Sequence, residues 1–269
     1  NPNLQQIPAR NKELGPMIRS LFIPENNHQW GCFDYSQQEP RLVVHYAATT
    51  EPICFDESVS NIVNKFKDNS VDFHQTVADM ANISRTQAKT INLGLFYGMG
   101  KTKLQAELGL NTKEEAEKLF NTYHTNVPFV RELMNYTSLM AQTSGSIGTL
   151  LGRRCRFNKW EPNQFGMHKA MEFEEADRRY GRKRIRRAFT YKALNKLIQG
   201  SAADMTKKAM VELYKEGIIP HIQIHDELDI SVESDGAAKK IIDIMENAVS
   251  LEVPNKVDYE SGKTWGDIY

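Results

Sequence analysis

The chain has 269 residues, 40% of them hydrophobic and 25% charged, a composition that supports one large or two small globular domains and excludes an intrinsically disordered chain. Lysine plus arginine and aspartate plus glutamate each total 34, so the net charge is zero and any polyanion must bind a local basic patch. The three cysteines are scattered, with no CxxC pair, which argues against a disulfide framework and a cysteine zinc site and favours a reducing compartment.

The sequence contains no recognisable targeting or membrane segment. No apolar run approaches the ~20 residues that span a bilayer, and no basic and apolar leader opens the chain. We therefore expect a soluble protein with no membrane partner. The chain begins with Asn1 rather than methionine, from which we expect a piece of a longer polypeptide or a processed one.

The start of the chain predicts an extended lead-in followed by a strand. The segment NPNLQQIPAR has two prolines and two asparagines and favours extended or turn-rich backbone. From Ile18 to Tyr35 the sequence is apolar and aromatic, with breaks at Pro24 and Gly31. Its last part, WGCFDY, indicates a buried strand that ends in an acidic residue, Asp34.

A helix is predicted directly after this strand. Ser36 and Glu39 have the S-x-x-E spacing of a capping box, and the apolar run LVVHYAA follows soon after. The pair therefore marks the start of a helix whose body packs inside the protein. Asp34 then lies at a strand-to-helix junction.

Residues from about 61 to 144 have helical periodicity throughout and predict one helical subdomain. Capping-box spacings mark two helix starts in this region, and three glycines are expected to terminate helices. The capping pairs are Ser84 with Gln87 and Thr112 with Glu115, and the glycines are Gly98, Gly100 and Gly145.

The sequence from 149 to 192 is irregular and basic, and between 178 and 192 it has eight basic residues and no acidic one. By default such a stretch is a solvated loop, and the functional alternative is a track for a nucleic-acid backbone. The sequence leaves both interpretations open. A helix is predicted from about 191 to 215.

The C-terminal part predicts a β-hairpin and a helix. Residues 221–232, HIQIHDELDISV, alternate polar and apolar side chains on both sides of HDE, which indicates a hairpin with carboxylates at its tip. Residues 235–250 predict a final amphipathic helix, and the remaining end is short and polar.

Asp34 and Asp226 are the first candidate site residues, because both stand at the ends of buried elements. A carboxylate in such a position is usually a turn former or a helix cap. Two carboxylates held close on a rigid sheet, however, repel each other and are best tolerated when they share a divalent cation. Oxygen-only ligands favour Mg²⁺ over Zn²⁺.

The helix that opens at Ser84 carries Arg85, Lys89, Leu93 and Tyr97 at steps of four, so these side chains follow one flank of the helix. The two cations suit a polyphosphate, and the apolar and aromatic side chains suit a sugar and a base. The alternative is a solvated basic rim above a core-facing tyrosine. Acids for a metal and cations for phosphates together indicate phosphoryl transfer.

Two other patterns do not support a site. The segment GLFYGMGKT, residues 94–102, resembles a phosphate-binding P-loop, but it has five residues between its glycines where that loop needs four. His221 and His225 are four apart, which suits zinc on a helix. In the predicted strand, however, residues four apart are separated by about 13 Å.

Four segments together resemble the family A DNA polymerases: NPNLQQIP at the start, DYSQQEPR (34–41), RTQAKTINLGLFYG (85–98) and HDE (225–227). The resemblance covers essentially the whole chain. It implies an α+β fold, with a right-hand polymerase palm on an antiparallel sheet and a helical fingers subdomain.

The resemblance also implies domain boundaries. The palm is expected in residues 1–44 and 191–269, with the motif C hairpin at 221–232. The fingers and a basic connection are expected in residues 45–190, with the motif B helix at 85–98. The thumb and the exonuclease of the family are expected to be absent from this chain.

The implied activity is template-directed DNA synthesis, in which a nucleotide is transferred from a dNTP to a primer 3′ hydroxyl with the help of two Mg²⁺ ions. By the resemblance, Asp34 and Asp226 bind the metals together with the carbonyl of Tyr35, and Lys89 protonates the departing pyrophosphate. Primer-template DNA and dNTPs are the implied partners, with a thumb-bearing segment or chain. The implied location is the cytoplasm of a bacterial or phage-infected cell, or an organelle.

Further contacts are implied for both substrates. The implied dNTP-binding residues are Gln37, Glu39, His74, Arg85, Lys89, Leu93 and Tyr97. The implied primer-template residues are Arg41, Asn195, Gln199 and His225. Glu39 would select deoxynucleotides by closing the space beside the sugar 2′ position. Asn195 and Gln199 would check the shape of base pairs through the minor groove, where every correct pair presents acceptors at similar places.

Three positions depart from the family pattern. Gln38 replaces an aliphatic residue, Pro40 replaces leucine and Leu93 replaces an aromatic residue, which leaves sugar selectivity open. The alternative hypothesis is an inactive or split-polymerase fragment that binds nucleic acid or nucleotide and needs a thumb-bearing partner. Single-subunit RNA polymerases are a third hypothesis, which Glu39 and the Tyr97-Gly98 pair disfavour.

Overall fold

A computed structural model describes residue 7 and residues 11–68, 72–81, 83–96, 99–164 and 166–268 of the chain. The chain divides into two compact units, Asn1–Arg41 with Ala202–Tyr269, and Leu42–Ser201. Helices and antiparallel sheets occur together, so the fold is α+β, as predicted. The assignment of residues 1–44 and 191–269 to a palm and of 45–190 to fingers stays a prediction.

The helices and strands of the described residues are numbered in chain order. The α-helices are α1 (Leu14–Arg19), α2 (Gln38–Thr49), α3 (Glu57–Lys67), α4 (Phe73–Ala81), α5 (Arg85–Phe96), α6 (Lys101–Leu108), α7 (Lys113–Asn126), α8 (Pro128–Ser144), α9 (Phe173–Tyr180), α10 (Ala193–Lys215) and α11 (Asp235–Asn247). The strands are β1 (Gln29–Tyr35), β2 (Ser146–Gly148), β3 (Arg154–Arg156), β4 (Trp160–Pro162), β5 (Ile185–Arg187), β6 (Ile222–Ile224), β7 (Glu227–Val232) and β8 (Val257–Gly262). In the part of the chain that the structure describes, no helix has both the length and the apolar character needed to cross a bilayer.

The first unit is built on a four-stranded antiparallel sheet in the order β6-β7-β1-β8. Central strand β1 has a nearly continuous buried sequence, because neighbouring strands flank it on both edges and packing covers both of its faces. The ring of buried Phe33 stacks on Tyr259 of β8, with 4.7 Å between the centroids. Gly31 was expected to be a break but lies inside β1, where a Cβ atom would approach Val232 of β7 to 2.7 Å. The close packing of the two strands therefore requires glycine.

Strand β8 corrects the prediction that the chain ends in a short polar segment. It pairs antiparallel with β1, so that Asp258 lies opposite Asp34. Buried Val257 and half-buried Tyr259 alternate with exposed acidic residues along the strand. Such a short, acidic strand has little apolar signal of its own, and only its pairing with β1 shows that it is a strand.

Helix α11 confirms the predicted C-terminal helix and contacts β7 and β8. The hydroxyl of Ser234 accepts a hydrogen bond from the N–H of Ala237 and so caps its first turn. The buried hydroxyl of Tyr35 donates to the carbonyl of Met245 at 2.6 Å. This bond attaches the end of β1 to the last turn of α11.

The second unit contains the predicted helical subdomain, which is confirmed as helices α3 to α8. Its interior is made of aromatic and aliphatic side chains that are almost fully buried. They include Phe66, Phe73, Ile91, Phe96 and Leu133. Burial of such side chains stabilises the folded state by about 1.5–3 kcal/mol each.

Both predicted capping boxes of this subdomain form. Thr112 and Glu115 cap the start of α7 reciprocally. The side chain of Gln87 accepts from the N–H of Ser84 at 3.0 Å, and the Ser84 hydroxyl accepts from the N–H of Gln87 at 3.2 Å. The bonds of Ser84 fix the start of α5, the helix that carries the candidate phosphate-binding residues.

The glycine predictions had different outcomes. Gly145 terminates α8 in a left-handed conformation with φ 74°, as expected for a C-terminal glycine. Gly100 was expected to end a helix but instead precedes α6, where it is the N-cap residue in an extended conformation. Gly98 lies outside the described residues.

The region from 149 to 192 is more regular than the sequence indicates. Strand β3 pairs antiparallel with β2, which lies just before this region, and β4 and β5 form a second small antiparallel sheet. Helix α9 carries an i,i+4 ion pair between Glu175 and Arg179 at 2.7 Å. Strands of three residues are too short to give a periodic signal, which explains why the sequence did not predict them.

Candidate functional site

The two predicted metal-binding acids lie on neighbouring backbone segments of the first unit. In the β1–β7 pairing, Asp34 is directly opposite Glu227, the residue after Asp226. The N–H of Tyr35 also donates to the carbonyl of Asp226 at 3.4 Å. The sheet therefore brings the predicted pair together and adds Glu227, a third carboxylate.

Asp226 is presented by a tight turn between β6 and β7. Ile224 pairs with Glu227, so His225 and Asp226 form a two-residue hairpin loop. His225 is exposed and has φ 53°, a left-handed conformation that is uncommon for residues other than glycine. The Gln223 side chain donates to the His225 carbonyl at 3.0 Å and stabilises the loop. The predicted hairpin with carboxylates at its tip is confirmed.

The environment of Asp226 disfavours its negative charge. Burial raises the pKa of the Asp226 carboxyl, and a backbone hydrogen bond and the nearby His225 offset part of this effect. Asp34 and Glu227 are half-buried beside it. The three carboxylates lie at adjoining backbone positions and offer oxygen atoms only, the donor type that suits a hard divalent cation such as Mg²⁺.

Sequence reasoning missed Glu227 as a site residue. Its signal was present, because Glu227 belongs to the HDE segment. In a strand, however, successive side chains alternate between faces, and only the register with β1 shows which face Asp34 shares with Glu227.

The chain turns sharply between β1 and α2. Gln37 has φ 53°, and α2 begins at Gln38, one residue later than a capping box from Ser36 would place it. That predicted box is therefore wrong, and Glu39 is the second residue of the helix, half-buried. Pro40 is tolerated because it lies in the first turn, where backbone N–H groups have no partner within the helix.

Two buried polar side chains hold this junction. The Arg41 guanidinium donates to the carbonyls of Ser36, at 2.9 Å, and Pro254, and burial lowers its pKa. The Gln38 amide donates weakly to Thr206 Oγ1 at 3.4 Å. Arg41 is thus bound to the protein backbone, and its predicted contact with DNA stays a prediction.

The predicted basic flank forms on α5 in the second unit. Arg85 and Lys89 are exposed and Leu93 is half-buried, while Ile91 and Phe96 on the other face are buried. The cations therefore face solvent one turn apart, where a phosphate chain could reach them. Tyr97 lies outside the described residues.

Asp72 is a residue of this region that the sequence did not single out. Its carboxylate accepts from the N–H groups of His74, at 2.9 Å, and Gln75, at 3.1 Å, at the start of α4. The other oxygen forms an ion pair with Arg85 at 2.5 Å. Burial alone would raise the pKa of Asp72, but the Arg85 side chain and the two backbone N–H groups together lower it below its usual value. Its sequence signal, an aspartate at a helix start, is common to many caps.

His74 is buried next to this ion pair, in surroundings that disfavour a charged ring. Its side chain is 6% exposed, and burial lowers its pKa, with further lowering by Lys89 and Arg85. Nδ1 lies 3.0 Å from the side-chain nitrogen of buried Asn92, so it accepts that hydrogen bond. Nε2 then carries the proton and is the donor of the neutral ring.

Asn195 and Gln199, the predicted base-pair contacts, lie one turn apart on the first part of α10, which belongs to the second unit. Asn195 is half-buried and Gln199 is exposed. Between them, Leu197 and Ile198 are buried. The spacing places both amides on the same flank of the helix.

The basic segment from 178 to 192 combines cations with aromatic rings. The Arg187 guanidinium lies 4.6 Å from the centroid of Trp160. The Lys192 ammonium lies 5.3 Å from the ring of Phe189 and 5.6 Å from that of Tyr191, and both rings are exposed. Exposed rings beside cations suit nucleic acid, because they offer stacking surfaces next to phosphate-binding charges.

His221 does not form a metal pair with His225. It precedes β6, and its Nε2 lies 2.8 Å from Ser231 Oγ and 3.2 Å from Glu25. Both histidines fall on the predicted hairpin rather than on a helix, so the i,i+4 geometry of a helical zinc site does not arise.

The family model described as DNA polymerase family A matches residues 1–267. Among curated proteins, the chain is 36% identical to a DNA-directed DNA polymerase of Pseudomonas phage M6 over an alignment of 303 positions. The alignment covers 99% of this chain and 42% of the relative. It is 32% identical over 287 aligned residues to DNA polymerase I of Borreliella burgdorferi, covering 100% of this chain and 28% of the relative.

A solved structure is also similar. It is the POL domain of Pol1 from M. smegmatis in complex with DNA primer-template and dNTP, with a TM-score of 0.77, 27% identity and coverage of 99% of this chain and 45% of that chain. This chain thus spans less than half the length of these relatives. The match of the family model to residues 1–267 nevertheless covers nearly all of it. The chain therefore belongs to DNA polymerase family A.

Proposed function

We propose that this chain performs template-directed DNA synthesis, in which the 3′ hydroxyl of a primer attacks the α-phosphate of a dNTP and pyrophosphate leaves. The observation that carries the proposal is the β1–β7 register, which sets Asp34 opposite Glu227 and next to Asp226. Clustered carboxylates at a sheet end are suited to divalent cations in phosphoryl transfer.

Asp34 and Asp226, with the carbonyl of Tyr35, are the proposed ligands of two Mg²⁺ ions. These residues fit Mg²⁺ because all of their donor atoms are oxygen. The raised pKa of Asp226 also fits, because a positive charge nearby would lower it. When bound, the ions lower the pKa of the primer hydroxyl and neutralise charge on the pyrophosphate.

The exposed flank of α5 is the proposed triphosphate-binding surface. The Arg85 guanidinium offers a planar fork to phosphate oxygens, and the Lys89 ammonium offers a proton to the leaving pyrophosphate. His74, neutral with its proton on Nε2, donates a hydrogen bond to a phosphate oxygen without adding charge. Asp72 holds Arg85 in place until the triphosphate binds.

The sugar and base contacts are proposed from the family pattern. Glu39 selects deoxynucleotides, and Gln37, in the left-handed turn before it, contacts the dNTP. Leu93, on the flank of α5 that carries Arg85 and Lys89, and Tyr97 contact the nucleotide sugar and base.

The proposed contacts with primer-template DNA use polar donors and the basic segment. Asn195 and Gln199 donate to the minor-groove edges of base pairs, and His225 lies by the primer terminus. Arg41 supports the junction that carries these contacts. The cations between 178 and 192 neutralise backbone phosphates, so binding should weaken steeply with salt.

Extension of a labelled primer on a DNA template, with Mg²⁺, four dNTPs and low salt, tests this function. We expect extension by the parent chain and its loss in Asp34→Asn. The matched control is Asp243→Asn, which makes the same charge change on the exposed face of α11. Equal extension by Asp34→Asn and the control would refute the proposed metal role.

The second candidate is a fragment that binds substrates but needs a thumb-bearing partner for synthesis. The chain spans 42% of the length of the phage relative. Contacts with backbone phosphates supply much of the affinity of a protein for duplex DNA. A thumb-bearing partner would add such contacts. Mg²⁺-dependent dNTP binding without primer extension would favour this candidate, and extension by the chain alone would refute it.

A further inference from the structure

A second group of metal-binding side chains lies next to the candidate catalytic acids. Cys32 on β1 and Glu227 and Asp229 on β7 each offer one ligand atom, and these atoms all lie within 4.8 Å of one another. We propose that the three residues bind a thiophilic divalent cation such as Zn²⁺, at a site that shares Glu227 with the candidate catalytic acids but is otherwise made of different residues.

The sheet register builds this group. Cys32 lies opposite Asp229, and Asp34 lies opposite Glu227 in the same antiparallel pair. Residues opposite each other project to the same face, and so do residues two apart on one strand. Cys32, Asp229 and Glu227 therefore share the face of Asp34, one step along the strands. The Cys32 sulfur already contacts Asp229 Oδ1 at 2.8 Å.

Asp229 gives independent evidence for a ligand. Its side chain is 0% exposed, and Oδ1 accepts from the Cys32 thiol and, at 3.3 Å, from Trp30 Nε1. Its second oxygen, Oδ2, is buried and has no hydrogen-bond partner. Buried carboxylate oxygens are nearly always satisfied in proteins, and an exception points to an ion or a water.

The donor chemistry selects the cation. Carboxylates alone suit Mg²⁺, but a thiolate suits zinc and its soft congeners. Zn–S bonds of about 2.3 Å and Zn–O bonds of about 2.0 Å set the one sulfur and the oxygen atoms of a tetrahedral site about 3.3–3.5 Å apart, within the 4.8 Å that now bounds the ligand atoms. On binding, the Cys32 thiol loses its proton to solvent, the metal–sulfur bond forms, and water takes the fourth position. No electron transfer is involved.

Binding at this site would affect catalysis through Glu227. A cation bound by Glu227 and Cys32 would draw the Glu227 carboxylate away from Asp34. We therefore expect Zn²⁺ at micromolar concentration to inhibit primer extension in excess Mg²⁺. This consequence rests on the proposed function. The binding itself does not, and it is measured without any substrate.

The test is a Cd²⁺ or Co²⁺ titration of the chain carrying Cys54→Ser and Cys155→Ser, in which Cys32 is the remaining thiol. We expect a saturable thiolate-to-metal charge-transfer band that persists in excess Mg²⁺. Cys32→Ser in this background should abolish the band. Calorimetry should show metal binding weakened at least about tenfold, because removing even a group that only hydrogen-bonds to a metal ligand weakens binding by about that factor. Absence of the band in the parent background would overturn the proposal.

Asp229→Asn tests the buried carboxylate and keeps the thiol and the side-chain shape. We expect metal binding to weaken at least about tenfold, while Asp243→Asn on exposed α11 leaves it unchanged. Far-ultraviolet circular dichroism and thermal unfolding check the folding of each variant, and Glu227→Gln replaces Asp229→Asn if the latter does not fold. Unchanged affinity in a folded Asp229→Asn or Glu227→Gln chain would overturn the assignment.

Discussion

The backbone N–H of Tyr35 donates to the carbonyl oxygen of Asp226 at 3.4 Å. This bond joins the end of central strand β1 to the tip of the β6–β7 hairpin, and Asp34, opposite Glu227, lies beside it. Two aspartates that are far apart in the sequence are thus positioned by backbone pairing rather than by flexible side chains. A site built in this way is preorganised, because strands hold their residues more rigidly than loops do.

Asp226→Asn should abolish primer extension and leave the chain at least as stable as the parent at neutral pH. Burial raises the pKa of Asp226, so the charged carboxylate is less favourable in the folded than in the unfolded state. The protonated Asp226 carboxyl therefore stabilises the folded chain at a pH below its pKa in the unfolded chain. This stabilisation is lost as the pH rises through its higher pKa in the folded chain. Primer extension and thermal unfolding at pH 7 measure both effects. A variant that extends primers at the parent rate would contradict the metal assignment.

Lys89→Ala should slow nucleotide addition by about 10²–10⁴-fold, the contribution typical of a general acid, with little effect on DNA affinity. Lys103→Ala is the matched control, because Lys103 is an exposed lysine on α6 of the same unit. Single-turnover rates and DNA binding by anisotropy are the measurements. Equal losses of rate and DNA affinity in Lys89→Ala would indicate a purely electrostatic role.

Asp72→Ala should lower the free energy of unfolding by about 1 kcal/mol, because its carboxylate caps the start of α4. Asp72→Asn should retain most of this stability, since the amide oxygen can still accept the cap bonds. The ion pair with Arg85 is largely exposed on the arginine side and adds less than about 1 kcal/mol. Urea unfolding compares the three chains. Equal losses in Asp72→Asn and Asp72→Ala would show that the ion pair dominates.

His124 should make the chain less stable in acid. Burial, with a smaller effect of Arg131, lowers the pKa of His124 from 6.5 to about 4. The unfolded chain therefore takes up this proton first, and the free energy of unfolding falls as the pH drops from about 6.5 to about 4. This fall in the free energy of unfolding is at most about 3 kcal/mol. His124→Gln should show a shallower fall in urea unfolding across this range, and parallel pH profiles would contradict the prediction.

Gln38→Leu should not destabilise the chain. The buried Gln38 amide makes only long hydrogen bonds, to Ala202 at 3.5 Å and Thr206 at 3.4 Å. Leucine removes a weakly paired polar group from the interior, and Thr206 keeps its own bond to the Ala202 carbonyl. Thermal unfolding measures the change. A loss of more than about 1 kcal/mol would mean that the amide bonds are stronger than their lengths indicate.

Local patterns in the sequence determined a large part of the structure. The strand ending in Asp34, the caps at Ser84 and Thr112, and the hairpin with Asp226 at its tip depend on neighbouring residues, whose spacing is visible in the sequence. The same is true of the one-sided distribution of Arg85 and Lys89 on α5, which follows from helical periodicity.

The tertiary structure alone decided which distant residues meet. Glu227 opposite Asp34, β8 beside β1 and the Cys32–Asp229 contact all depend on strand register, and a shift by one residue would turn each side chain to the other face. The Asp72–Arg85 ion pair likewise depends on how α4 packs against α5. Register and packing are set by the burial of the whole core, which is why no local pattern in the sequence reveals them.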